Sequence, residues 1–330
     1  MIEFKDVGKS YGSVRALDGV SFRIERGSVF GFIGPNGAGK TTSIKILTGM
    51  VREYEGSVLI DGKPLEEERA SFHRRVGYLP QTAGFQEWRT VRHALSTFGR
   101  LSGLDDATLT RRISRVAERL GLLDALDRKI VHLSGGMQQR LRFAQAILHQ
   151  PEVVILDEPL TGLDPSSRAE LKRTIRGLAT EGHTIVLTSH VLSDVEDLAS
   201  CIAIIDHGTL RDSGTREELR ERHNVGTLVE LRGPGIHEHA DAFTALAPVA
   251  GTRQTEAPGA GVPARGGATT TEPAKADTLL LEIDPRADID NALHAIMEAV
   301  VDRRVHVRSI RHVQPSLEDV YLSLTEVSRE

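Results

Sequence analysis

A single cysteine stands among the 330 residues, so no intrachain disulfide can form and a disulfide-stapled secreted scaffold is excluded. Cys201, inside CIAIID, reads as a small buried hydrophobe of a protein kept in a reducing compartment. Long hydrophobic runs are missing as well. VVIL at 153–156 and the stretch 201–205 fall far short of the roughly 18 apolar residues of a membrane helix, which leaves any membrane role to a partner. The opening MIEFKDVGKS is charged rather than a basic stretch followed by an apolar one, so no secretory signal is read and a cytoplasmic location is expected. Positive charge is in deficit too: 41 Lys and Arg against 46 Asp and Glu give −5. That balance offers no global field for nucleic acid or anionic lipid, and no nucleic-acid partner is expected. No internal repeat is found.

What is present is the mix of a globular chain of about two domains, 39% hydrophobic and 26% charged. Short β-branched runs, VFGFI at 29–33, VVILD at 153–157 and TIVLTS at 184–189, each precede a helical pattern. This alternation predicts an α/β fold with a mainly parallel sheet. Leu109, Ile113, Val116 and Leu120, and again Leu171, Ile175, Leu178 and Ala179, have the spacing of helix stripes facing a core. From about residue 226 the pattern changes to GTLVELR, a helix, TLLLEID, a helix carrying Ile289, Leu293, Ile296, Met297 and Val300, then VHVRSI and a last helix from Pro315. A small C-terminal α+β domain over 226–330 is expected. Within it, residues 247–277 hold five Gly, four Pro, five Thr and eight Ala but only two Val, a composition that buries too little to offset its ordering entropy. That segment reads as a flexible linker.

The strongest chemical signal is Gly34-Pro35-Asn36-Gly37-Ala38-Gly39-Lys40-Thr41, which satisfies G-x-x-x-x-G-K-[ST] between the strand at 29–33 and a helix through Ile44 and Leu47. Glycines let backbone N–H groups turn around phosphate oxygens, and the helix N-terminus adds its dipole. Lys40 reaches the β- and γ-phosphates, and the Thr41 hydroxyl ligates Mg²⁺. A nucleoside triphosphate site of the P-loop NTPase class follows. Its metal needs a carboxylate at the end of an apolar strand, which VVIL followed by Asp157 and Glu158 supplies. Adjacent acids at a strand end point to different sides, so Asp157 is assigned to the metal and Glu158 to the attacking water as general base. His190, ending TIVLTS, has the position of a γ-phosphate sensor.

LSGGMQQR at 133–140 is a Ser-capped glycine turn opening a helix, and it also looks like the signature of ABC ATPases. Over residues 1–220 the chain resembles the nucleotide-binding subunit of ABC transporters, with each expected motif present once and in order and a helical subdomain inserted at about 82–150. The resemblance implies that Tyr11 stacks on adenine and that Gly34 to Thr41 together with Thr42 form the phosphate loop. It implies that Gln81 touches Mg²⁺ and the transport partner and takes part in catalysis. Ser134, Gly135 and Gly136 would bind the γ-phosphate of ATP held by the opposing subunit, Leu163 and Asp164 would cross the dimer interface, and His190 would be the switch histidine. Two subunits sandwich two ATP molecules head to tail, so an isolated monomer is expected to be a poor ATPase.

The tail Pro315-Ser316-Leu317-Glu318-Asp319-Val320-Tyr321-Leu322 resembles the ending of a subfamily whose ATPase and membrane subunits are separate chains, drug and antibiotic exporters included. This implies a homodimeric ATPase at the inner face of the cell membrane, held there by a separately encoded integral membrane permease. One departure lies at Trp88 and Arg89, the latter standing where the resemblance expects leucine. Trp88 either contacts the partner or packs inside the helical subdomain. Two other classes of this ATPase do not fit: translation factors carry two cassettes, and chromosome ATPases put a long coiled coil between the phosphate loop and the signature. A soluble ATP-driven switch, regulated through the C-terminal domain and not coupled to transport, is the alternative.

Overall fold

The apolar runs 29–33, 153–157 and 184–189 are strands buried at every position, the signature of a sheet covered on both faces. In the computed structural model the described residues are 1–82, 84–223, 227–255, 277–284, 287–313 and 316–326. They divide into two units, Met1–Leu219 and Arg220–Glu330.

The first unit opens with β1 (Ile2–Tyr11), β2 (Val14–Ile24), β3 (Val29–Ile33), α1 (Lys40–Leu47), β4 (Glu55–Ile60), β5 (Lys63–Pro64), α2 (Leu65–Arg74) and β6 (Val76–Leu79). Three helices, α3 (Val91–Leu101), α4 (Asp106–Arg119) and α5 (Gly135–Ile147), intervene before β7 (Val153–Asp157). The chain continues through α6 (Pro165–Thr180), β8 (Thr184–Ser189), α7 (Leu192–Leu198), β9 (Cys201–Asp206), β10 (Thr209–Gly214) and α8 (Arg216–Arg222).

The central sheet has the order β10-β9-β3-β8-β7-β6, parallel except for the antiparallel edge strand β10. A second, antiparallel sheet of order β2-β1-β4-β5, not anticipated from the strand pattern, shares one core with it. Phe4 stacks on Phe22 at 4.4 Å between centroids and Phe22 on Phe30 at 5.2 Å. These rings bury large apolar area at the seam of the two sheets. The helix stripe at Leu109, Ile113 and Val116 is buried as its spacing predicts. Cys201 departs from expectation in being half-buried: it is the first residue of β9, at the rim of the core.

Parallel pairing sets the chemistry, because Ile33 lies opposite Ser189 and Asp157 opposite Thr188. The residues that follow β3, β7 and β8 therefore leave the sheet along one edge, the carboxyl edge where open α/β sheets bind ligands.

The second unit consists of β11 (Leu228–Gly233), α9 (Ala240–Thr244), β12 (Val249–Thr255), β13 (Asp277–Ile283), α10 (Ile289–Asp302), β14 (Ser309–Val313) and α11 (Leu317–Glu326). The order β12-β13-β11-β14 with every pairing antiparallel is the split βαβ of a ferredoxin-like βαββαβ unit. Its core holds Val229, Leu231, Phe243, Leu279, Leu281 and Ile296. Three expectations are corrected here. The linker expected at 247–277 begins instead with β12, an edge strand that hydrogen-bonds to β13 while placing only Val249 in the core, so its composition hides it. The last strand starts at Ser309 rather than 305, and Met297 of α10 is 48% exposed rather than part of the core stripe. Residues 256–276 of the expected linker and Pro315 lie outside the described residues.

Candidate nucleotide site

After Ile33 the chain turns so tightly over β9 that a Cβ on Gly34 would stand 2.2 Å from the Ile205 carbonyl oxygen. Gly39, at φ 111° in the left-handed region, ends the turn and caps α1, which begins at Lys40. Together these leave the first N–H groups of α1 facing a cavity of ≈300 Å³ lined by Asn36, Gly37, Ala38, Gly39, Lys40, Thr41, Thr42, Gln81 and Glu158. Lys40 is 6% exposed, and its Nζ donates to the carbonyls of Gly34 at 2.6 Å and Pro35 at 3.1 Å. Burial pulls its ammonium below the ordinary lysine range, while the charges of Glu158 and Asp157 hold it up. The cation is thus held on weak neutral acceptors that phosphate oxygens can replace.

At the end of β7, Asp157 is 1% exposed and Glu158 8%. One buried hydroxyl orders both: Thr188 Oγ1 donates to Asp157 Oδ1 at 2.7 Å and accepts from the Glu158 backbone N–H at 2.9 Å. Burial pushes the Asp157 carboxyl above its usual range and the neighbouring Glu158 charge adds to this, against hydrogen bonds from Thr188 and Thr41 and the charge of Lys40. Glu158 itself sits at φ 53°, a left-handed backbone that costs a non-glycine residue about 1 kcal/mol or more and aims its side chain into the cavity. Its Oε2 accepts from Thr161 Oγ1 at 2.9 Å and meets His190 Nδ1 at 2.8 Å. A carboxylate only accepts, so Nδ1 carries the proton in this pair. Thr188 is a residue that sequence reading misses, because a threonine in a buried strand looks like an ordinary β-former.

The oxygen donors here, the Thr41 hydroxyl, the Asp157 carboxylate and the Gln81 amide, fit Mg²⁺, a hard cation that takes oxygen ligands, one or two of them carboxylates, beside phosphate oxygens and water. Among the described residues no three His, Cys, Asp or Glu converge into a cage.

The remaining expected residues gather elsewhere. Ser134 caps α5 by accepting from the Met137 N–H at 3.3 Å, and Asp164 caps α6 by accepting from the Ser167 N–H at 3.0 Å. The two helix starts touch: a Cβ on Gly136 would lie 2.7 Å from Ser167 Oγ and 3.7 Å from Asp164 Oδ2. None of Ser134, Gly135, Gly136 or Asp164 lines the phosphate cavity. Tyr11 does not line it either; it is 46% exposed at the end of β1 with Lys9 Nζ 5.4 Å from its ring. Trp88 does not pack inside the helical stretch: it is 64% exposed, with Arg89 5.0 Å from its ring and His93 edge-on at 6.5 Å. A larger cavity, ≈540 Å³, opens at the amino edge of the sheet beside Val153 and Thr184. Its charges are already paired, Asp61 with Arg26 at 2.7 Å and Arg75 with Glu152 at 3.2 Å, so it offers no comparable set of free phosphate donors.

Residues 17–161 match the ABC transporter family. The linearmycin resistance ATP-binding protein of Bacillus subtilis (strain 168) is 30% identical over 331 residues, 98% of each chain. The chain belongs to the ABC transporter family, as an ATP-binding subunit. A second relative, the daunorubicin resistance ATP-binding protein of Streptomyces coeruleorubidus, is 33% identical over 318 residues, 96% of this chain and 93% of its own. Among solved structures, an ATP-binding subunit of an ABC transporter matches with TM-score 0.62 and 30% identity, over 67% of this chain and 92% of its own. ABC ATP-binding subunits are ATPases. Among the described residues no helix is long and apolar enough to cross a membrane.

Proposed function

We propose that this ABC subunit hydrolyses ATP as a head-to-tail homodimer enclosing two nucleotides, and that it powers export through a separately encoded integral membrane subunit at the inner face of the cell membrane. The observation that carries the proposal is the split site. The phosphate loop, Gln81 and Glu158 share one cavity, while Ser134, Gly135 and Gly136 stand outside it with Asp164. A second chain supplies what one chain lacks.

In this reading the β- and γ-phosphates take Lys40 Nζ from the Gly34 and Pro35 carbonyls, and the N–H groups from Gly37 to Thr42 close around their oxygens. Thr41, Asp157 and Gln81 would hold Mg²⁺, which when bound would supply neutralisation of phosphate charge. Glu158 removes the proton of the attacking water, and His190 keeps the carboxylate in place through Nδ1. Tyr11 provides a face for adenine. The partner chain's copy of the α5 N-terminus closes the site over the γ-phosphate.

Export is supported by the relatives' names and by the tail at 315–322. Exposed Trp88, steadied by Arg89 and His93, is the proposed contact with the membrane subunit. The test is a mild-detergent pull-down of tagged protein from native membranes. Stoichiometric recovery of a multi-span hydrophobic chain, reduced in Trp88→Ala, is expected. Recovery of soluble proteins alone would move the reading to an ATP-driven switch uncoupled from transport.

A further inference from the structure

Gln139 stands on the second turn of α5, five residues after the cap Ser134, and is 8% exposed. Its Nε2 donates to the Pro159 carbonyl at 2.8 Å, and its Oε1 accepts from Arg142 NH1 at 3.2 Å. The orientation of the amide is fixed by chemistry: a guanidinium only donates, so Oε1 must face Arg142 and Nε2 must face the carbonyl. Pro159 is the residue immediately after Glu158. A buried amide on the signature helix is therefore bonded to the carbonyl of the residue that follows the base.

The same helix grips the far end of that segment. Gly136 packs against Ser167 and Asp164, so the stretch from Glu158 to Asp164 is bracketed by α5 at both ends. Between the brackets, Thr161 Oγ1 donates to Glu158 Oε2 at 2.9 Å, and Glu158 is held at φ 53°. A backbone in this sparsely populated region keeps its conformation only while its surroundings enforce it. A shift of α5 along its axis is therefore felt at Pro159 O, through the Gln139 amide, as well as at Asp164.

We infer that Gln139 is a positioning residue that couples the two ATP sites of the dimer: it transmits the docking of its own chain's signature turn on one nucleotide to the Glu158 that serves the other. The inference rests on the proposed head-to-tail dimer. It adds to it a path within one chain, α5 to Pro159 to Glu158, between a group acting on the partner's ATP and a group acting on its own. The hydrogen bond supplies stiffness rather than chemistry, since it ends on the Pro159 carbonyl and Gln139 is not among the residues that line the cavity.

The test compares wild type with Gln139→Glu, which keeps the shape but replaces the donor by an acceptor facing a carbonyl, and Gln139→Met, which keeps the length without charge. Steady-state ATPase is measured against ATP concentration at a fixed high protein concentration, with circular dichroism as a check on folding. Both variants should bind ATP and dimerise on it as wild type does, with KM within about twofold. Their kcat should fall roughly tenfold, and the Hill coefficient should drop from near two toward one. Wild-type kcat and cooperativity in a folded Gln139→Met overturn the link. So does a loss of kcat matched by an equal loss of ATP-driven dimerisation, which would reduce Gln139 to a support for the signature turn. A wild-type protein whose specific activity is independent of its own concentration removes the dimer reading, an outcome distinct from variants that behave as wild type in a cooperative enzyme.

Discussion

In the proposed reading two side chains decide whether the cavity binds nucleotide and whether it turns nucleotide over. Lys40→Ala removes a buried cation of the loop, so ATP affinity should fall by at least about tenfold, read by fluorescence titration with an ATP analogue. Wild-type binding would contradict the phosphate-loop assignment. Glu158→Gln keeps the phosphate contacts and loses the base; binding should persist while turnover falls by roughly 10²-fold or more, and unchanged turnover would remove Glu158 from that role. A third residue governs acid stability. Burial alone would raise the Asp61 carboxyl, but hydrogen bonds from Arg26 and the Met1 amino group hold it well below the usual carboxylate range. A depressed folded-state pKa gives stability that is present above the unfolded value, about 3.9, and is lost as pH falls through the folded one. Asp61→Asn should therefore cost about 1 kcal/mol at pH 7 and flatten the decline of stability below about pH 4, as urea unfolding at the two pH values will show. Residues of the phosphate motif were legible in the sequence because glycine, lysine and threonine at fixed spacing have one mechanical explanation. Thr188 and Gln139 were not, because a hydroxyl or an amide acquires its role only from the carbonyl, carboxylate or N–H that the fold sets beside it.

Among elements, the parallel strands were readable because burial on both faces demands continuous apolar runs, as in 153–157 and 184–189. The β2-β1-β4-β5 sheet was harder to read, since its strands alternate charged and apolar residues and β1 slips register between Phe4 and Ser10. β12 escaped because an edge strand needs few core residues. The helical stretch comes very close to the central sheet where a Cβ on Gly77 of β6 would lie 1.9 Å from the Ala146 carbonyl oxygen of α5. Gly77→Ala should force β6 and α5 apart and cost about 2–3 kcal/mol, seen as a Tm lower by several degrees. An unchanged Tm would mean that this contact relaxes freely.

For the whole molecule, the division at Leu219 and Arg220 gives each unit its own buried core. In the alternative reading, in which the βαββαβ unit is regulatory, deleting residues 226–330 should leave ATP-driven dimerisation intact while removing regulation or membrane recruitment; a truncated chain equal to the full one in ATPase and transport assays would rule out that role. The central claim, that two chains complete each other's sites, is tested most directly by the mass of Glu158→Gln in solution, measured by light scattering with and without ATP and Mg²⁺. The account predicts a monomer without nucleotide and a dimer retaining two ATP with it, a shift abolished by adding Lys40→Ala. A chain that binds ATP and stays monomeric at every concentration tested would contradict it.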